Sequence, residues 1–148
     1  MTTLFSLGTS TVAFRFRDAA GNVGSATANV TVVVGRPRLS GMVTRVSTPA
    51  AGVRDVELVL TNTGDGHARD LRVNQILLRT LSGSGAVTLA SPSLPVMIGS
   101  LDVGASTTVT LRLNVPATVT RFSITENGAL KDVVGTSFNV SLSQSVIK

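Results

Sequence analysis

An antiparallel all-β sandwich, preceded by a separate β-hairpin, is the fold class that this 148-residue sequence predicts. Three observations carry the prediction. Apolar and polar residues alternate in run after run, the period of two that sends one set of side chains to a core and the other to water. Clusters of Gly, Asn, Asp and Pro separate the runs and supply the backbone angles that turns need. No segment of ten or more residues repeats apolar positions at three and four, so helix content is expected near zero.

Residues 1–35 form a self-contained pattern. Val12, Phe14 and Phe16 alternate with Ala13, Arg15 and Arg17. The turn Asp18-Ala-Ala-Gly-Asn22 follows, and then Ala26, Ala28, Val30, Val32 and Val34. Two period-two strands around such a turn make a hairpin. A hairpin alone is marginal in water and leaves its apolar face uncovered. It therefore needs the following domain, a neighbouring molecule or an upstream portion to pack against.

Gly35-Arg-Pro-Arg38 punctuates the chain, and Pro37 biases Arg36 toward extended geometry. Beyond it, strands are expected at 39–47, 53–62, 68–80, 85–90, 95–101, 105–115, 118–126 and 134–147. The central pair is the clearest. Val56, Leu58 and Leu60 alternate with Asp55, Glu57 and Thr61, the turn Asn62-Thr-Gly-Asp-Gly66 interrupts, and a second apolar run passes through Leu71, Val73, Ile76, Leu77 and Leu78. Across 107–115, Val109, Leu111, Leu113 and Val115 share one phase. Pro49, Pro92, Pro95 and Pro116 fall at strand ends or loops, where a missing N–H costs no ladder bond. Strands with a single buried face require a second sheet, hence the sandwich.

Two stretches resemble known families. Gly8, Thr9, Val12, Asp18, Gly21, Asn22, Val30 and Val32 resemble the last two strands of hyalin-repeat (HYR) and related bacterial immunoglobulin-like domains, in their cysteine-free form. Asn62–Ala68 followed by Leu71 and Val73, together with the Gly99-Ser-Leu-Asp-Val-Gly104 segment, resembles the CARDB-type and similar bacterial immunoglobulin-like domains. These resemblances imply an immunoglobulin-like antiparallel β-sandwich over 36–148. They make residues 1–35 the C-terminal hairpin of a second, incomplete module.

Composition narrows the function classes. Hydrophobic residues make up 43% of the chain, which excludes intrinsic disorder. No apolar run approaches the roughly 18–20 residues that span a bilayer, so membrane insertion is not expected. The absence of cysteine removes disulfides, zinc thiolates and thiol catalysis. Thirteen basic residues against eight acidic ones give +5. The arginines, however, fall singly along strands, as at Arg15, Arg17, Arg72, Arg79, Arg112 and Arg121, and the chain has no Tyr or Trp. Nucleic-acid binding is therefore not expected. MTTLFSLGTS lacks the basic and apolar regions of a signal peptide, so a surface location implies a segment of a longer precursor.

Candidate sites are few. His67 is the only histidine and sits in a turn between Asp65 and Asp70, and the carboxylates form no acid–base pair, so no catalytic role is expected. Asp18 with Asn22, or Asp65 with Asp70, offers hard oxygens to calcium, but two side chains per loop fit local turn bonding better. Phe14, Phe16, Phe122 and Phe138 fall on apolar phases and are expected in a core rather than on a carbohydrate platform. No metal or cofactor is assigned.

The expected function is a non-catalytic extracellular or cell-surface structural and adhesion module. It self-associates, or joins other surface proteins, when the hairpin adds its strands to a neighbour through Val12, Phe14, Phe16, Val30, Val32 and Val34. The alternative is an accessory module of a larger secreted protein, binding glycan or protein through the loops at 62–68 or 82–93.

Overall fold

A computed structural model describes residues 4–148, and all of their regular structure is antiparallel β. The chain divides into two compact units, one ending at Val34 and the other spanning Gly35–Lys148. The first is a two-stranded ribbon of β1 (Gly8–Arg17) and β2 (Val23–Val32), in register from Gly8 opposite Val32 to Arg17 opposite Val23. Directly opposed residues share a face, so this register sets the two sides of the ribbon. Val12, Phe14, Phe16, Ala26, Ala28, Val30 and Val32 lie on one side with Ser10, and Thr9, Thr11, Arg15, Arg17, Ser25, Thr27, Asn29 and Thr31 on the other with Ala13 and Val23.

The second unit holds eight strands: β3 (Leu39–Ala50), β4 (Val53–Asn62), β5 (Ala68–Ser82), β6 (Thr88–Ser91), β7 (Val96–Leu101), β8 (Ser106–Asn114), β9 (Arg121–Lys131) and β10 (Ser137–Ile147). They form two four-stranded sheets, ordered β3-β4-β8-β6 and β10-β9-β5-β7. The inner faces pack as a sandwich around two apolar clusters. The larger joins Val56, Leu58, Leu111, Leu113, Phe122, Ile124 and Val146, and the smaller joins Ala68, Leu71, Leu101 and Leu130.

All eight expected strands are present, and the differences have local causes. The strand expected at 118–126 runs instead over Arg121–Lys131. Val119 is fully buried, but it sits in a turn whose amide bonds the Pro116 carbonyl 3.1 Å away. At the far end the strand continues past 126 through Asn127 and Gly128 beside an irregular stretch of β5, where a Cβ on Gly128 would collide with the Arg72 carbonyl. Strand β3 runs on through Pro49, tolerated because β3 is an edge. Val34 lies beyond the end of β2. Phe122 is fully buried and Phe138 half-buried, whereas Phe14 and Phe16 are 51% and 60% exposed. A ribbon of two strands has no second sheet to enclose them.

Candidate functional site

The ribbon is the first candidate. Its polar face is held by cross-strand bonds, Thr9 to Thr31 at 3.0 Å and the Thr11 hydroxyl to Asn29 Oδ1 at 2.9 Å. Its apolar face holds the residues expected to mediate assembly, and the Phe16 ring lies so close over Gly24 that a Cβ there would overlap it. The turn is closed by Asp18. Both its carboxylate oxygens accept bonds from Asn22, one from the backbone amide and one from the side chain, each at 2.8 Å. Those bonds, led by the Asn22 side chain, hold the Asp18 carboxyl below its usual range. The oxygens considered for calcium are thus engaged in the turn.

The other calcium candidates serve similar ends. Asp65 accepts the Arg36 amide at 2.7 Å, and Asp70 accepts the Lys131 ammonium at 2.9 Å. Lys131 is the last residue of β9. Asp70 itself adopts φ +49°. Among the described residues, no three His, Asp or Glu side chains group as metal ligands would. His67 is half-exposed and bonds Asp102 through Nδ1 at 2.8 Å, tying the β4–β5 turn to the β7–β8 turn.

Asn62 organises that end of the sandwich. It is fully buried and uses all four of its hydrogen-bonding positions. Nδ2 donates to the Gly66 and Leu101 carbonyls at 2.8 and 3.1 Å, and Oδ1 accepts from the Arg38 and Gly64 amides at 3.2 and 3.1 Å. One side chain therefore joins the β4–β5 turn, the end of β7 and the segment entering β3. Gly64 and Gly66 let this segment lie against the turn, because a Cβ on either would strike the backbone of residues 35–38. Gly35–Arg38 is accordingly docked onto the sandwich.

Two buried polar residues were not singled out in the sequence. Glu126 is 3% exposed, and neither its carboxylate oxygens nor the side-chain amide atoms of Gln144 have a hydrogen-bond partner among the described residues. Along β9 Glu126 separates Ile124 of the larger cluster from Leu130 of the smaller. On β10 Gln144 separates Val146 from Val140 in the same way. Burial pushes the Glu126 carboxyl up to about 7. The signal was present: Phe122, Ile124 and Glu126 share one phase of the alternation. Asp132 is also buried. Burial pushes it up, but bonds from Thr136, Val134 and Gly135 outweigh that effect and hold it below its usual range.

Two surface depressions border β10. A groove of about 220 Å³ runs between the start of β3 and β10, lined by Leu39, Leu130, Phe138, Val140 and Leu142 together with Pro37, Arg38, Asn139 and Ser141. A shallower hollow of about 370 Å³ crosses β5, β9 and β10, and it is rich in carboxamides: Asn74, Gln75, Asn127 and Asn139, with Ser141.

No protein-family profile matches the chain, and no curated protein matches it. Among solved structures it is similar to one described as "X-ray structure of Northeast Structural Genomics Consortium target SoR45", at 11% identity, over 77% of this chain and 86% of that one, with a TM-score of 0.41.

Proposed function

We propose that the chain is a non-catalytic, extracellular structural and adhesion module of the immunoglobulin-like class, which joins further copies of itself, or other surface proteins, through its N-terminal hairpin. The observation that carries this is the ribbon: a separate two-stranded unit with one face apolar except for Ser10, and no buried side chain in either strand. Burying Val12, Phe14, Phe16, Val30, Val32 and Val34 is worth on the order of 10 kcal/mol gross, before the cost of association.

Strand order supports the immunoglobulin-like part. Lettering β3, β4, β5, β6, β8, β9 and β10 as A to G places A-B-E-D in one sheet and G-F-C in the other. That is the constant-type arrangement, with β7 added beside C. The structural reading is further supported by the turn and bridging roles of Asp18, Asp65, Asp70, His67 and Asn62. Light scattering over a concentration series, checked by negative-stain microscopy, tests it. The whole chain should form filaments or a defined oligomer, and the chain lacking residues 1–35 should stay monomeric. Persistence of the assembly without those residues would refute it.

A second reading, an accessory glycan-binding module, is favoured by the carboxamide hollow on the outer face of β5, β9 and β10. Neutral amides and hydroxyls are suited to sugar hydroxyls. Retention on a glycan array that Asn127→Ala and Asn139→Ala abolish would support it. This site is distinct from the loops at 62–68 and 82–93.

A further inference from the structure

We propose that β10 is the acceptor edge for assembly, and that its occupant is β2 of a second copy of this chain; the proposal rests on the assembly reading above and names the surface it uses. Each sandwich sheet ends in two edge strands, and an edge offers unpaired N–H and C=O groups to any strand that can reach them. Three of the four edges here carry features that discourage pairing. Strand β3 has register breaks at Val43/Arg45 and Ser47/Ala50, and it carries Arg45 and Pro49. Strand β6 has only four residues, with an irregularity of its own. Strand β7 has six, with two irregularities against β5.

Strand β10 has none of these. It pairs with β9 without a break from Ser137 opposite Lys131 to Ile147 opposite Arg121. Its eleven residues, SFNVSLSQSVI, include no charge and no proline. Beside it lies the groove lined by Leu39, Phe138, Val140 and Leu142, with Asn139 and Ser141 at its rim. At about 220 Å³ this groove has room for an aromatic ring, since a cavity of roughly 150 Å³ holds benzene.

The hairpin complements this edge. Strand β2 has ten residues, VGSATANVTV, also with no charge, no proline and no break in register. Its outward phase of Ser25, Thr27, Asn29 and Thr31 continues the Asn139, Ser141, Ser143 phase of β10. Its inward phase of Ala26, Ala28, Val30 and Val32 continues that of Val140 and Leu142. The small inward residues of β2 leave space beside the bulky ones of β10. The Phe16 ring, already lying over Gly24 of β2, shares that inward phase. Added this way, the ribbon extends one sheet with both of its faces in phase, as strand augmentation requires. Donor and acceptor are different surfaces of one chain, so the contact is head-to-tail and propagates.

The chain has no cysteine, which makes crosslinking clean. Ser141 and Thr27 are exposed, on the polar phase near the middle of their strands, and neighbouring strands bring Cα atoms to about 4.5–5.5 Å, within disulfide reach. Ser141→Cys protein is mixed with Thr27→Cys protein, or with Ala13→Cys protein as the β1 control, and oxidised at assembling concentration; products are identified by mass. The Ser141–Thr27 pair should yield the mixed disulfide, and the Ala13 pair should not. In parallel, the Asn139→Lys/Ser141→Lys chain, checked for an unchanged thermal transition, should need about tenfold more protein or greater to assemble. Assembly that proceeds without the Ser141–Thr27 crosslink and is indifferent to the two lysines would overturn the β10 assignment while leaving hairpin-driven assembly standing. A whole chain that stays monomeric at every concentration would overturn both.

Discussion

The ribbon and the sandwich are written in the same alternating code, yet they end differently. Val12, Phe14 and Phe16 repeat with the same period as Val56, Leu58 and Leu60. In the sandwich those residues are 0%, 1% and 2% exposed, whereas Phe14 and Phe16 are more than half exposed. Alternation determines strand and face; burial depends on a second sheet. Sixteen apolar residues find one in Gly35–Lys148, and none of the ribbon does. The sandwich is therefore expected to fold on its own interior, while the ribbon depends on what covers it.

Core and ribbon substitutions should break this symmetry in opposite ways. The largest effect is expected at Phe122, fully buried in the larger cluster. Phe122→Ala should cost about 4 kcal/mol in denaturant unfolding of the sandwich. Next comes Glu126. Its folded value of about 7 lies above its ordinary 4.5, so the folded state retains a proton that the unfolded state has released. Its contribution to stability is thus fully present below pH 4.5 and is lost as pH rises to about 7, a difference of about 3 kcal/mol. Glu126→Leu should remove that slope and stabilise the protein at about pH 8 by up to about 3 kcal/mol, with little change at low pH. Denaturant midpoints at the two pH values check it.

Asn62→Ala comes third, at about 2 kcal/mol, because Arg38, Gly64, Gly66 and Leu101 each lose a partner. The smallest effect on sandwich stability is expected at the ribbon. Phe14→Ala should leave the unfolding midpoint of dilute protein unchanged while weakening assembly. A matching loss of stability in dilute protein would mean that the ring is part of a core after all.

The architecture was legible because each strand needs only local alternation and a local turn. Val56–Leu60 and Val109–Val115 declare both strand and inner face, and the Asn62–Gly66 turn declares a reversal. What failed was set by partners distant in sequence. The strand expected to end at 126 runs on through Gly128, because the irregular backbone of β5 fills the space a side chain there would occupy. Val119 is apolar but out of phase with Phe122 and Ile124, and it plugs the core from a loop. The four bonds of Asn62 were invisible, since a turn asparagine is expected to bond its own backbone rather than residues 38 and 101. The phase of Glu126 was readable, although only the packing of both sheets makes that position costly. Phe14 and Phe16 were expected in a core from their phase alone, but two strands cannot bury a face, and both rings are more than half exposed.

Hydrogen–deuterium exchange, read strand by strand at low and high protein concentration, tests most directly the claim that the sandwich is stable by itself and the ribbon by association. Amides of β4, β5, β8 and β9 should be protected equally at both concentrations. Those of β1 and β2 should exchange quickly in dilute protein and slow sharply as concentration rises, with β10 gaining protection alongside them. Ribbon amides protected equally at every dilution, or at none, would contradict it.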